Sequence, residues 1–286
     1  MEKDTFDAAE FRERQRKQWN SAATGWRKWS QLIDGAAGGV SERLVELAGV
    51  EPGSRVLDVA AGYGEPSLTA ARRAGPEGSV VATDISAEMI AFGRERAAAA
   101  GLENIEFVES DVSSLEFPKA SFDAALSRWG IIFEPDGEGA ADRVRAFLKP
   151  GARMAISSWA SPDRVPMLAI PMQTAMQRLQ VAPPPAGTPG PLSRPTPEAL
   201  SDLLEGGGFS DVEVEEAEVV LEWQSPEDFT TFIKEIAPPI TAMIAPHPKE
   251  VQDDTWSAIT EAMREAAVED GAVRLSNITL LAAGRT

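Results

Sequence analysis

Three aspartates stand where short apolar runs end. Asp58 lies in Arg55-Val-Leu-Asp-Val-Ala-Ala-Gly-Tyr-Gly-Glu-Pro-Ser67, Asp84 closes Val80-Val-Ala-Thr-Asp, and Asp111 sits in Glu109-Ser-Asp-Val112. Between the first two, Gly62 and Gly64 permit positive backbone dihedrals and let a bound molecule approach the chain closely. The helix expected after them offers unpaired N–H groups and a partial positive charge. Asp58, near the end of its strand, can meet a ligand ammonium group. Asp84 follows Gly64 by 20 positions, the spacing at which a carboxylate accepts from both hydroxyls of a ribose. Asp111 can accept from an adenine amino group, with Val112 against the ring. An aspartate at a strand end often only caps the next helix, but three in register suit one nucleoside-like ligand.

The elements that must carry these residues alternate. Strands are expected at Arg55–Val59, Ser79–Thr83, Ile105–Val108, Phe122–Leu126 and Ala152–Ser157, with helices at Pro66–Ala74, Ala87–Ala100 and Ala140–Leu148. That rhythm predicts a parallel sheet covered on both faces. Ahead of it, residues Phe6 to Ser30 read as a helix, weakened at Gly25, and Val40–Ala48 as another. Beyond it, the proline-rich stretch Pro162–Pro197 reads as an inserted helix and extended loop. The rhythm resumes with the helix Thr196–Glu205 and the strand Asp211–Trp223, is broken again by a mostly helical stretch from Ser225 to Gly271, and closes on a strand at Val273–Ala283.

The expected organisation is a helical cap over 1–50, a core from 51–160, 196–224 and 272–286, and helical lid insertions at 161–195 and 225–271. In open α/β sheets ligands bind beyond the carboxyl ends of the strands, where such insertions gather.

Composition narrows the function. The chain has 286 residues, 43% of them hydrophobic, with 45 acidic against 27 basic side chains and a net charge of −18. Such a surface repels phosphate backbones, which argues against nucleic acid and for a small-molecule substrate. The basic run Arg12-Glu-Arg-Gln-Arg-Lys17 reads as a solvated helix face. No cysteine is present, which removes disulfides, thiolate metal sites and a cysteine nucleophile and fits a reducing compartment. No metal-ligand cluster is visible. No signal peptide or membrane-length apolar run appears, so a cytoplasmic location without membrane association is expected. The sequence does not choose between monomer and homodimer.

These motifs carry a resemblance. Val56-Leu-Asp-Val-Ala-Ala-Gly-Tyr-Gly resembles motif I of the class I S-adenosylmethionine-dependent methyltransferases, commonly Val-Leu-Asp-Val-Gly-Cys-Gly-Thr-Gly, with Ala60 and Ala61 departing from its first Gly-Cys pair. Asp84-Ile-Ser-Ala-Glu-Met89 resembles the ribose-binding motif, and Asp111-Val112 the adenine-binding position. Phe122-Asp-Ala-Ala-Leu-Ser-Arg-Trp-Gly130 resembles the fourth motif, and Leu148-Lys-Pro-Gly-Ala-Arg the approach to strand five.

The resemblance covers Arg55–Ser158 and looks closest to the ubiquinone/menaquinone C-methyltransferase group. It implies a Rossmann-like, seven-stranded, mostly parallel sheet and S-adenosyl-L-methionine as cofactor. Asp58, Ala60, Gly62, Gly64, Asp84, Ile85, Met89, Asp111, Val112, Ser127 and Arg128 would then form the cofactor site. Ile85 and Met89 would flank the adenine, and the backbone at Ser127 and Arg128 would hold the methionyl portion.

The family names no universal catalytic side chain. An aromatic or isoprenoid-like acceptor is favoured, and candidates for its pocket are Trp26, Trp29, Trp129 and His247. Trp19, Trp26 and Trp29 fall at intervals of seven and three, roughly on one helical face, where they pack the core or cover an aromatic substrate. Trp129 follows the methionyl segment. His247, the lone histidine, lies in Pro246-His-Pro and is either a base suited to neutral pH or an exposed loop residue. Two other readings stay open: a protein that binds the cofactor without catalysis, and a nicotinamide-dependent oxidoreductase. Against the second, the only tyrosine is Tyr63, inside the glycine turn, so no Tyr-x-x-x-Lys pair exists.

Overall fold

The computed structural model describes residues 7–185, 187–266 and 271–286. The expected helix start at Phe6 and the end of the second insertion at 267–270 lie outside them. The chain opens with one helix, α1 (Ala8–Leu47), capped by Asp7, whose carboxylate accepts the N–H groups of Ala9 and Glu10 at 2.9 and 3.1 Å.

Two separate helices were expected here, and the difference has a tertiary cause. The middle and end of α1 bury Ile33, Ala37, Val40, Leu44 and Val45, and that burial outweighs the low propensity of Gly35, Gly38 and Gly39. Gly25 does not break the helix either. A Cβ there would fall 2.2 Å from the carbonyl oxygen of Glu235, so the glycine lets two backbones meet.

The core then follows as β1 (Arg55–Val59), α2 (Ser67–Ala74), β2 (Ser79–Asp84), α3 (Ala87–Ala99), β3 (Ile105–Glu109), β4 (Phe122–Arg128), α4 (Gly137–Phe147) and β5 (Leu148–Trp159). After it come α5 (Pro166–Leu179), α6 (Pro197–Gly206), β6 (Ser210–Trp223), α7 (Pro226–Ile236), α8 (Pro238–Ile244), α9 (Lys249–Ala266) and β7 (Val273–Arg285).

The strands form one seven-stranded sheet in the order β3-β2-β1-β4-β5-β7-β6. β1 runs parallel to both β2 and β4, Leu57 pairing with Val81 on one side and Ala125 on the other. β7 is antiparallel to β5 and β6. Central strands are near-continuous apolar runs because both faces are covered; Leu57, Leu126, Met154 and Ile156 have no exposed surface. The fold is the expected Rossmann-like one. Strand order reverses between β1 and β4, so their carboxyl ends diverge and open a crevice there. Helix α1 packs against strands β4 to β7 and against α3 and α7.

Candidate active site

The crevice is shaped by two interlocked turns. After β1 the chain takes a left-handed conformation at Ala60 (φ 56°), and after β4 at Trp129 (φ 55°). In motif I the residue at the first position is glycine, which adopts this conformation freely; alanine pays about 1–2 kcal/mol for it. Gly130 is required by contact, since a Cβ there would lie 2.4 Å from that of Ala60. Trp129 is held in place by its N–H to Ser157 Oγ (3.1 Å), its indole N–H to Thr279 Oγ1 (2.8 Å) and a stack on Trp159 at 4.4 Å.

A cavity with about 980 Å³ of open space fills the crevice. Its wall includes Ala60, Gly62, Asp84, Ile85, Met89, Asp111, Val112, Arg128, Trp26 and Trp129, so residues expected from four strand ends and from α1 do converge. Asp84 braces the turn: its Oδ2 accepts the Gly62 N–H and its Oδ1 the Ser86 N–H, both at 2.8 Å. Each oxygen keeps a lone pair for a ligand hydroxyl. Burial pushes the Asp84 carboxyl up to about 6, against the pull of those two N–H groups. Asp111 caps the turn Val112–Ser114, accepting from Ser113 and Ser114. Although burial opposes it, these bonds hold its carboxyl below the usual range.

Three expected cofactor residues stand behind the wall. Asp58 is fully buried beneath the turn; its Oδ2 accepts from Ser67 Oγ at 2.5 Å, while Oδ1 has no partner. Burial pushes its carboxyl up to about 7. Ser127 turns its hydroxyl to the Ile131 N–H (2.9 Å), and Gly64 packs on Leu68 and Gly93.

Two pocket candidates are corrected. Trp29 lines neither this cavity nor its neighbour: its indole N–H reaches Glu235 at 2.5 Å and its ring meets Phe232 edge-on, packing α1 on α7. His247 lies between α8 and α9, lines neither cavity, and its carbonyl accepts from Gln252 at 2.7 Å.

Several wall residues lacked a local signal. Phe11, Arg12, Gln15 and Trp19 of α1 line the cavity. Arg12, read as part of a solvated face, instead points inward, with its Nε 3.5 Å from Glu134 and 3.9 Å from Asp111. Arg16 and Lys17 do lie on the surface, paired with Glu13. Tyr63, Glu65, Phe133 and Glu134 also line it. The common form of motif I has threonine at the Tyr63 position, which is the one hint the sequence carried.

A second cavity adjoins the first through Trp19, Trp26, Trp129 and Phe133, which line both. It has about 790 Å³ of open space, and every lining side chain is apolar or aromatic, with no titratable group among the described residues. Two of the three indole N–H groups at the junction are already committed, that of Trp129 to Thr279 at 2.8 Å and that of Trp26 to the Ile236 carbonyl at 3.1 Å. Its far walls come from α5, from Pro191 in the loop after it, and from α7 and α8. Among the described residues no cluster of His, Asp or Glu is disposed to hold a metal ion, and no helix is long and apolar enough to cross a membrane.

Residues 56–151 match a family described as Methyltransferase domain. With the sheet order and the convergent strand ends, this stretch resembles the domain of the class I S-adenosylmethionine-dependent methyltransferases. Within that class it resembles the ubiquinone/menaquinone biosynthesis C-methyltransferase UbiE of Teredinibacter turnerae, 33% identical over 165 residues, which are 56% of this chain and 65% of that protein. The match thus spans just under two thirds of that relative.

Among solved structures, a methyltransferase-like protein from Bacillus halodurans superposes with a TM-score of 0.57 at 18% identity, over 87% of this chain and 99% of that one. A phosphoethanolamine N-methyltransferase of Haemonchus contortus, solved with phosphomonomethylethanolamine and S-adenosylhomocysteine, gives 0.56 at 19% identity, over 96% of this chain and 59% of that one. These likenesses concern the fold.

Proposed function

We propose that the first cavity binds S-adenosyl-L-methionine and that its methyl group passes to a small apolar acceptor seated in the second. The observation that carries this reading is the continuity of the two cavities at the Trp19, Trp26, Trp129 and Phe133 junction, one polar and built from strand ends, the other wholly apolar. The first suits the cofactor residue by residue. Asp84 has oxygens to spare for the ribose hydroxyls, Ile85, Met89 and Val112 flank the adenine, and Asp111 takes its amino group. Gly62 and Gly64 shape the turn beneath the ligand, and the buried Arg128 lines the same cavity. Asp58 supports the turn from below, and Ala60 and Ser127 hold the two turns against each other.

A sulfonium supplies an already activated methyl group, so the chain's own task is to position the acceptor and exclude water. The chamber does this by shape. Its described lining carries no base, so it suits a neutral, lipophilic molecule whose reacting atom does not surrender a proton to a chamber side chain. An aromatic or isoprenoid-like acceptor meets that description, in keeping with the similarity to a ubiquinone/menaquinone biosynthesis C-methyltransferase. In this reading α1 and the insertions at 161–195 and 225–271 serve as the cover, since they supply most of the chamber wall.

The test is titration calorimetry with S-adenosylhomocysteine, with NAD and NADP beside it. Micromolar binding of the first alone, about −8 kcal/mol, is expected. Tight binding of a nicotinamide cofactor, or none of S-adenosylhomocysteine, would overturn the reading. Labelled methyl transfer to alkylated phenols and prenylated aromatics then separates an enzyme from a protein that only binds.

A further inference from the structure

Resting on the reading of the second cavity as the acceptor chamber, we infer that the indole N–H of Trp159 is the hydrogen-bond donor that selects the acceptor. The acceptor is then a neutral, largely apolar molecule with an oxygen to receive that bond. Four tryptophans line the chamber: Trp19, Trp26, Trp129 and Trp159. A buried indole N–H normally finds a partner, because an unbonded donor out of water is costly. Trp26 and Trp129 follow this rule through Ile236 and Thr279. Trp159 does not. It is 7% exposed, and among the described residues its indole nitrogen has no hydrogen-bond partner. Trp223 Nε1 is also unpartnered but fully enclosed, whereas Trp159 Nε1 keeps accessible surface. Trp159 lines the second cavity and not the first, so a guest in the chamber can reach it.

The donor is rigidly held. Trp159 is the last residue of β5, its backbone pairs with Thr279 of β7, and its ring stacks on Trp129 at 4.4 Å and 10°. Trp129 lines both cavities and is itself fixed by Ser157 and Thr279. Trp159 thus stands one stacking distance from a ring that the two cavities share. The lining side chains otherwise bring no charge and no base. One neutral donor in an apolar wall suits a carbonyl, an ether or an un-ionised phenol oxygen. A plain hydrocarbon would leave the N–H unbonded, and an ammonium group brings donors alone and meets no side-chain acceptor here. Trp19 also lacks a bond among the described residues, but it is only part-buried and belongs to both cavities. Burial and position inside the chamber favour Trp159.

The test uses two probes with one carbon skeleton: α-tetralone, which has a carbonyl oxygen, and tetralin, which lacks it. Each is offered to wild-type protein, Trp159→Phe and Trp19→Phe by equilibrium dialysis in the presence of S-adenosylhomocysteine, and folding is followed by thermal denaturation. Trp159→Phe should weaken α-tetralone about 3- to 10-fold more than it weakens tetralin, the loss expected for one neutral hydrogen bond. Trp19→Phe trims the junction wall and should change both probes alike. Equal changes for the two probes in Trp159→Phe, or a selective loss in Trp19→Phe instead, would overturn the assignment while leaving the chamber reading intact. Should neither probe bind the wild-type protein, the chamber reading falls and the inference with it. If Trp159→Phe does not fold, the carbonyl stretching band of α-tetralone bound to Trp19→Phe decides. A band at lower frequency than in hexane is expected, and a band at the hexane position would overturn the assignment.

Discussion

Asp84 serves two masters, the turn and the proposed ribose, and Asp84→Asn separates them. The carboxylate accepts one backbone N–H on each oxygen, from Gly62 and Ser86, both at 2.8 Å. Asparagine has one oxygen, so its NH₂ must face one of those donors, and a buried N–H loses its partner at a cost of about 1–3 kcal/mol. The melting temperature should fall by about 2–4 °C for each kcal/mol lost. The ribose loses a charged acceptor as well, worth about 1.5–3 kcal/mol, so affinity for S-adenosylhomocysteine should drop at least tenfold.

A pH signature belongs to the functional part alone. Burial raises the Asp84 carboxyl to about 6 in the free protein. The bound ribose needs the ionised form, so a proton competes with the ligand. Wild-type affinity should be full well above pH 6 and decline by up to about tenfold per unit below it, whereas the variant should show no inflection there. Calorimetry between pH 5 and 8 and a parallel melting series measure both. A fall in melting temperature with unchanged affinity would refute the ribose role and leave Asp84 as a brace for the turn.

Three further outcomes are expected. Asp58, raised by burial to about 7 from 3.8, is protonated in the fold and ionised in the unfolded chain between those values, so its contribution to stability is present at low pH and lost as pH rises. Asp58→Asn should therefore gain on the wild type by about 1.4 kcal/mol per pH unit from about pH 4 to 7 and level off above it; parallel denaturation curves across that range would count against the buried, unpaired carboxyl. Gly25→Ala should destabilise by about 1–3 kcal/mol in denaturant unfolding, because the added methyl meets the Glu235 carbonyl at 2.2 Å, and a neutral result would mean α1 and α7 do not touch there. His247→Ala should leave S-adenosylhomocysteine affinity and any methyl transfer within about threefold; a loss of about a hundredfold in kcat with intact folding would instead make this residue a general base.

The parts of the molecule that were legible in sequence are those written locally. A strand, a glycine turn and an acidic residue 20 positions on form a short-range code, because each strand end in an open α/β sheet must deliver its side chain to the same crevice. Asp84, Ile85, Met89, Asp111 and Val112 could be placed on one wall for that reason. Local spacing failed wherever a partner distant in sequence set the outcome. The intervals between Trp19, Trp26 and Trp29 put all three near one face, but three helical residues turn the chain by about 300°. That offset is enough to send Trp29 to Glu235 while Trp26 reaches the cavities. Gly25 looked like a defect in a helix because its reason, the Glu235 carbonyl, lies 210 residues away in the chain.

The same distinction separates cofactor from acceptor. The proposed cofactor wall draws mainly on β1, β2, β4 and the residues just after β3 and β4, all within the stretch that matches the methyltransferase family. Apart from Trp129 and Phe133 at the junction, the apolar chamber draws on α1, α5, α7, α8 and the ends of β5 and β6, all outside that stretch. Motifs can therefore announce the donor while remaining silent on the acceptor. Helix α1 bridges the two: Trp19 and Trp26 line both cavities, and Asp34 and Ser41 reach Tyr63 and Arg128. Because one rigid element touches donor wall and acceptor wall together, a change in how α1 seats on the sheet would alter both affinities at once, and acceptor specificity should be sought in α1 and the insertions.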